Sequence, residues 1–274
     1  MLGNAVYRLF AMSPGHTVVG TVRSAGAKVP LPEGANGRLL TGVDVEQSDS
    51  LVAAFEKVRP DIVINCIGLV KQLAAGKDPL ATLPINSMLP HRLARFAALV
   101  DARLIHISTD CVFTGSKGDY VETDAPDAQD LYGRSKLLGE VDYANAITLR
   151  TSIIGTELDS AHGLVGWFLA QSGAVKGYSK AVFSGLPTAV LAQVMHDYVL
   201  PNPALRGVWH VSAAPITKYD LLKLVAAEYG KAIDIVQDDQ LVIDRSLDSA
   251  RFRTETGWVP PSWPHLIASM RQFG

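Results

Sequence analysis

At 274 residues, 48% of them apolar and with a formal charge of −2, the chain has the make-up of one large globular domain, or one domain with a smaller lobe. That charge excludes the basic footprint of a nucleic-acid binder or of a protein held on anionic lipid. No run approaches the roughly 20 apolar residues that cross a bilayer, and no basic segment, apolar core and cleavage site mark a signal peptide, so a cytoplasmic protein is expected.

The chain opens on "MLGNAVYRLF", where Leu2, Val6, Leu9 and Phe10 fall at helical spacing from the first residues. Short β-branched runs then recur at 16–22, 38–43, 61–67, 103–109 and 146–152, with helical patterns at 48–58, 81–100 and 131–144 between most of them. Apolar strands separated by helices predict a doubly wound α/β domain, a parallel sheet covered on both faces. After residue 152 the alternation breaks. A strand near 207–213, a helix over "KYDLLKLVAAEYG" and a final helix over "SWPHLIASMRQFG" predict a smaller C-terminal lobe, interrupted by a return to the main domain. The expected division is therefore 1–152 and 153–274. Two cysteines, Cys66 and Cys111, lie in or beside apolar runs, which suits a reducing compartment rather than a disulfide framework. The seven histidines contain no i, i+4 pair and no Cys/His cluster occurs, so no metal site is expected.

In "LYGRSKLLGE", Tyr132 and Lys136 are four apart and share one helix face. A tyrosine can donate a proton to a growing alkoxide, and a neighbouring ammonium favours its phenolate and lowers its ordinary pKa of about 10. The pair is a candidate acid/base unit for carbonyl reduction. Chance spacing supplies roughly 0.3 such pairs in a chain of this composition, and "YDLLK" does repeat it at Tyr219 and Lys223, so context must choose. The first pair follows a strand that ends in "STDCVF", which puts Ser108 and Thr109 at a strand's C-terminal end, where open α/β sheets place ligands. A hydroxyl there can hydrogen-bond a substrate carbonyl and stabilise the charge that grows on it. Tyr219 has no such strand end immediately upstream. Arg23, in "GTVRS", follows the second expected strand of such a sheet; a guanidinium there suits the 2′-phosphate of NADP, whereas an acidic residue would suit NAD.

The string "STDCVFTGSKGDYVETD…DLYGRSKLLGE…LRTS" resembles the extended short-chain dehydrogenase/reductase superfamily, and within it the dTDP-4-dehydrorhamnose reductase-like group of nucleotide-sugar reductases. "DIVINCIG", the helix around Asn86, "GLPT" at 185–188 and "DRSLDSARFRTETGW" extend the likeness over most of the chain. The resemblance implies a dinucleotide-binding domain over 1–152 and a mainly substrate-binding lobe over 153–274. It implies that Thr109 binds the substrate carbonyl, Tyr132 protonates it, and Lys136 holds the nicotinamide ribose and tunes Tyr132. Asp110 would face the sugar, Asp44 and Val45 would flank the adenine, and the backbone at Cys66, Ile67 and Gly68 would line the cofactor. Two departures border the implied sugar site: Cys111 stands where relatives often carry tyrosine, and Ile153 where many carry tryptophan. They leave the reaction class but not the particular sugar.

The implied activity is reduction of a 4-keto nucleotide-sugar with NADP, or with NAD, in deoxysugar or polysaccharide synthesis, with a homodimer as one compatible assembly. A sugar epimerase or dehydratase of the same superfamily is a competing expectation, Asp110 being its candidate extra acid/base group. A non-catalytic dinucleotide-binding regulatory subunit is another. In relatives a strand and a G-x-x-G-x-x-G turn, often ending in "GMLG", come before the first helix. Met1, Leu2 and Gly3 match only the last three residues of that turn, which makes Gly3 a cofactor residue and leaves out the first strand and the start of the turn. The expectation is that Met1 is an internal methionine and that the native product carries roughly ten more residues.

Overall fold

The computed structural model describes residues 1–26, 29, 31–71, 74–157 and 163–274, Ala74 through its backbone alone. Helix α1 (Leu2–Met12) buries Leu2, Ala5, Val6 and Phe10, and Gly15 at φ +83° turns the chain after it. Strands β1 (Val18–Val22) and β2 (Gly37–Thr41), helix α2 (Ser48–Val58) and strand β3 (Ile62–Asn65) follow. The helix expected at 81–100 is α3 (Pro79–Thr82), a π turn (Leu83–Met88) and α4 (Leu89–Leu99) in unbroken succession. It starts where Pro79 takes the first helical position and the Asp78 carboxylate accepts the Leu80 N–H. Strand β4 (Arg103–Thr109), helix α5 (Leu131–Leu138) and strand β5 (Ala146–Thr151) complete the first half.

Strands β3, β4 and β5 are parallel neighbours in one sheet. Alternation along β4 shows how both faces are covered. Leu104 packs with Leu51 of α2 and Leu89 and Leu93 of α4, whereas Ile105 points the other way, into the core that holds Leu2, Val6 and Phe10 of α1. The architecture is thus the doubly wound α/β sheet read from the sequence.

The second half is built from short pieces: β6 (Ile153–Ile154), α6 (Leu164–Ala170), β7 (Ala174–Tyr178), β8 (Ala181–Phe183), β9 (Leu186–Pro187), α7 (Thr188–Val194), β10 (Gly207–His210), β11 (Ile216–Thr217), α8 (Lys218–Tyr229), β12 (Asp234–Asp238), β13 (Ile243–Asp244), α9 (Ala250–Thr256) and α10 (Trp263–Phe273). Strand β10 returns to the main sheet and pairs parallel with β5, giving the order β10-β5-β4-β3. The remaining strands form small sheets of their own: β7 with β12, β6 with β9, and β8 between β11 and β13.

Two features depart from uniform alternation. Helix α5 stops at Leu138 rather than continuing toward 144. Gly139 lies against the Asn86 carbonyl, where a Cβ would sit 2.0 Å away, and Val141 then gives its N–H to the Thr148 hydroxyl of β5. The parallel sheet is also divided. Among the described residues strand β1 pairs only with β2, and β3 only with β4. Helix α1 packs across this division, its Leu2, Ala5 and Val6 sharing one core with Val18, Ile62, Ile64 and Cys66.

Candidate active site

The parallel strands end along one edge, and β4 carries most of the polar groups there. Its last residue, Thr109, begins a tight turn over Asp110–Val112. The Thr109 hydroxyl accepts the Cys111 N–H at 3.1 Å and donates to the Asp110 carboxylate at 3.0 Å. Burial raises the Asp110 pKa, against the Thr109 hydrogen bond and the positive Arg245. Helix α5 is pinned onto this turn at its first residues. Asp130 caps it by accepting the Gly133 N–H at 2.7 Å, and Gly133 lies so close to the Cys111 carbonyl that a Cβ would sit 2.2 Å away. Only glycine allows that approach, which sets the neighbouring Tyr132 beside Thr109.

Tyr132 lies beside Thr109, close enough for the threonine side chain to act on the phenol. Burial drives the phenol pKa well upward, Cys111 and Asp110 add to the rise, and the Thr109 contact opposes it. The phenol therefore holds its proton through neutrality. One turn further on, the buried Lys136 donates from Nζ to the Ile107 carbonyl at 2.7 Å. Its ammonium points at the strand rather than at the phenol. Burial lowers its pKa from 10.5 to about 8, with the Glu140 carboxylate opposing.

This shift has a consequence for stability. The unfolded chain binds more protons than the folded protein between about pH 8 and pH 10.5, so this group adds stability as the pH rises through that window. Relative to a Lys136→Met variant, the wild type should gain on the order of 3 kcal/mol from the bottom of the window to the top. Denaturant unfolding of both proteins at several pH values measures it. A pH-independent difference would mean the amine titrates as if in water.

A second layer holds these elements together. The π turn brings the fully buried Asn86 into the space between β3 and α5. Its amide accepts the Leu69 N–H at 2.8 Å and donates to the Leu69 carbonyl at 2.9 Å and the Ser135 hydroxyl at 3.1 Å. Asn65, at the end of β3, accepts the Ile67 N–H and bonds His106 of β4. Burial and the nearby Lys136 push the His106 pKa well down, so its ring is neutral. The sequence marks Asn86 only as part of the resemblance, without a role, and does not single out Ser135 or Asn65. Their signal is faint: polar residues in otherwise apolar elements.

The other expected residues lie on several elements. Gly3 lies in the first turn of α1, which no side chain caps, and a Cβ on it would be 3.5 Å from that of Cys66. Gly68 faces Asn86 and Lys136, at 3.4 and 3.9 Å from a would-be Cβ, and Ile67 is partly exposed. Asp44 and Val45 follow β2, where Asp44 receives the Glu46 N–H, and the exposed Arg23 follows β1. These last three belong to the separate two-stranded sheet. Ile153 starts β6 and pairs with Leu186 of β9. Burial pushes the thiols of Cys66 and Cys111 up to about 12 and about 11, so neither is a nucleophile near neutrality. At the repeated spacing, the Lys223 ammonium sits over the Tyr219 ring at 5.1 Å, and that ring packs on Gly177 of β7. Tyr219 is thus a packing residue of α8, and Lys223 is exposed on the same helix.

Comparison with known proteins adds a family and relatives of two kinds. The family model described as the RmlD substrate binding domain matches residues 1–268. Methionine adenosyltransferase 2 subunit beta of Mus musculus is 27% identical over 247 residues, covering 82% of this chain and 68% of the relative. The dTDP-4-dehydrorhamnose reductase of Mycobacterium tuberculosis is 32% identical over 170 residues, 53% of this chain and 56% of the relative. Among solved structures, a dTDP-4-dehydrorhamnose reductase from Bacillus anthracis in complex with NADP superposes with a TM-score of 0.76 at 19% identity, over 94% of this chain and 98% of that one, a likeness of fold.

Proposed function

The chain belongs to the RmlD substrate binding domain family, and on that premise we propose that it reduces the keto carbon of a 4-keto nucleotide-sugar with a nicotinamide dinucleotide. The observation that carries this reading is that Tyr132 lies beside Thr109 at the C-terminal end of β4, with Asp110 next to them. In this reading residues 1–152 carry the dinucleotide and 153–274 most of the sugar contacts, with β10 as the segment that returns to the main sheet.

The edge has the groups a dinucleotide needs. The uncapped first turn of α1 at Gly3 suits a phosphate, Arg23 suits a 2′-phosphate, and Cys66 to Gly68 offer backbone beside Lys136. A bound reduced nicotinamide supplies the hydride. The chain's own residues do the rest. Thr109 turns its one hydroxyl proton from the Asp110 carboxylate to the substrate carbonyl, polarising it for attack. Tyr132 delivers its phenolic proton to the oxygen as negative charge grows there. Lys136, freed from the Ile107 carbonyl by a short swing of its side chain, holds the ribose hydroxyls and stabilises the phenolate left behind.

Following the nicotinamide absorbance with NADPH or NADH and a panel of dTDP- and UDP-linked 4-keto sugars tests the proposal. Oxidation that depends on the sugar supports it. Tight NADPH binding with no turnover on any sugar favours a second reading, a non-catalytic dinucleotide-binding subunit. The mouse relative, itself a subunit and matching 82% of this chain, supports that second reading. Cofactor choice has its own test. Arg23→Ala should weaken NADPH binding about tenfold and NADH much less, because only NADPH offers a phosphate for a charge-assisted contact. Equal losses for the two cofactors would remove Arg23 from the site.

A further inference from the structure

One buried hydrogen-bond chain runs from the middle of β4 to the segment that follows β3. The ladder between the two strands ends at the pair Asn65–His106, so the Ile67 N–H, two residues on, has no strand partner. It donates to Asn65 Oδ1 at 3.1 Å instead. A backbone N–H can only donate, which turns the Asn65 carbonyl to Ile67 and its NH2 group to His106, 3.1 Å from Nδ1. His106 Nδ1 must therefore accept. Burial and the nearby Lys136 keep the ring neutral, so its one proton is on Nε2. Both side chains are buried, and that Nε2–H meets no partner among the described residues.

A buried donor without a partner is unfavourable, and a leucine at position 106 would avoid it. What the imidazole adds is the Nδ1 lone pair. We propose that His106 is a positioning residue: its Nδ1 holds the Asn65 amide in one orientation, and Asn65 thereby holds the Ile67 N–H and the backbone of Cys66–Gly68. Without an acceptor at 106, the Asn65 amide is free to turn over. Its NH2 group would then face the Ile67 N–H, donor against donor, and the segment would lose its anchor. The segment also borders the active-site amine, since a Cβ on Gly68 would lie 3.9 Å from Lys136 Nζ and 3.4 Å from Asn86 Oδ1. That a dinucleotide lies along Cys66–Gly68 rests on the reading above. The hydrogen-bond chain itself does not.

Nitrogen NMR of the wild type should show His106 protonated at Nε2 and bare at Nδ1. A proton on Nδ1 would overturn the proposal, however the variants behave. The variants are His106→Leu, which removes the acceptor, and His106→Asn, whose Oδ1 can stand where Nδ1 stood. Amide hydrogen exchange at Ile67, NADPH titration and thermal unfolding are measured on each. His106→Leu should speed Ile67 exchange and weaken NADPH, each about tenfold, yet unfold no earlier than the wild type, because the orphan donor has gone. His106→Asn should restore both readouts to within about threefold. Exchange and affinity within about twofold of the wild type in His106→Leu would overturn the proposal. A loss of affinity that accompanies a loss of stability, and that His106→Asn does not restore, would assign His106 to packing alone. If Ile67 protection follows the acceptor at 106 but the wild type binds no NADPH, the positioning of the segment stands and the dinucleotide reading falls.

Discussion

Replacing Tyr132 by phenylalanine should lower turnover by about 10²–10⁴ while NADPH affinity stays close to that of the wild type. The ring is kept, and only the hydroxyl is lost. That hydroxyl is the proton source in the proposed reaction, and burial keeps it protonated through neutrality, so its removal leaves a growing alkoxide with the Thr109 hydrogen bond alone. Steady-state kinetics on the sugar that turns over, with NADPH binding measured separately, distinguishes this from a folding defect, which would lower both. Tyr219→Phe is the control. Its ring lies under Lys223 and against Gly177 of β7, 87 positions further along the chain, and turnover should survive. A dead Tyr219 variant beside an active Tyr132 variant would reverse the assignment.

The parts of this site that follow from short-range pattern are legible in the sequence. The apolar runs of β3, β4 and β5 predict buried parallel strands, and their ends point to Cys66 and Thr109. The four-residue spacing places Tyr132 and Lys136 on one face. What the sequence hides is set by contacts between distant segments. Arg245 lies 3.9 Å from Cys111 although 134 residues separate them, and nothing in "DRSLDSARFR" marks that arginine as part of the turn after β4. Asn86 is hidden for a different reason. Its helix pattern is unbroken, and the extra residue per turn that aims it at Leu69 and Ser135 leaves no mark on apolar periodicity. The same blindness affects the end of α5. Leu137 and Leu138 continue a helical pattern, and only the Asn86 carbonyl packed against Gly139 and the pull of Thr148 on Val141 show why the helix stops. The short strands of the second half were not legible at all. The two residues in each of β6, β9, β11 and β13 are too few to establish a period.

The stop of α5 delivers Glu140 into the interior, where the largest stability effect is expected. Its carboxylate accepts the Ser108 hydroxyl at 2.7 Å and grips Arg150 of β5 with both oxygens, at 2.8 Å from Nε and 2.7 Å from Nη2. The two side chains are 6% and 5% exposed. Removing the carboxylate by Glu140→Leu leaves the Arg150 guanidinium buried, with the Phe113 ring at 5.3 Å and the His210 ring, its pKa lowered by burial, at 3.4 Å. An uncompensated buried charge of this kind costs about 3–5 kcal/mol. The paired variant Glu140→Leu with Arg150→Met should recover most of that loss, because two apolar side chains of similar size need no counter-charge. Urea unfolding of the wild type, both single variants and the double variant measures the cycle. A Glu140→Leu cost below about 1 kcal/mol would mean that water reaches the pair. The same substitution reaches the active site, since Glu140 is the group that holds the Lys136 ammonium up against burial. Without it the Lys136 pKa falls further below about 8, and the alkaline limb of the kcat/KM profile should move to lower pH in Glu140→Leu while Arg150→Met leaves it in place. A limb that moves equally in both variants would attribute it to loosened packing rather than to the charge on Glu140.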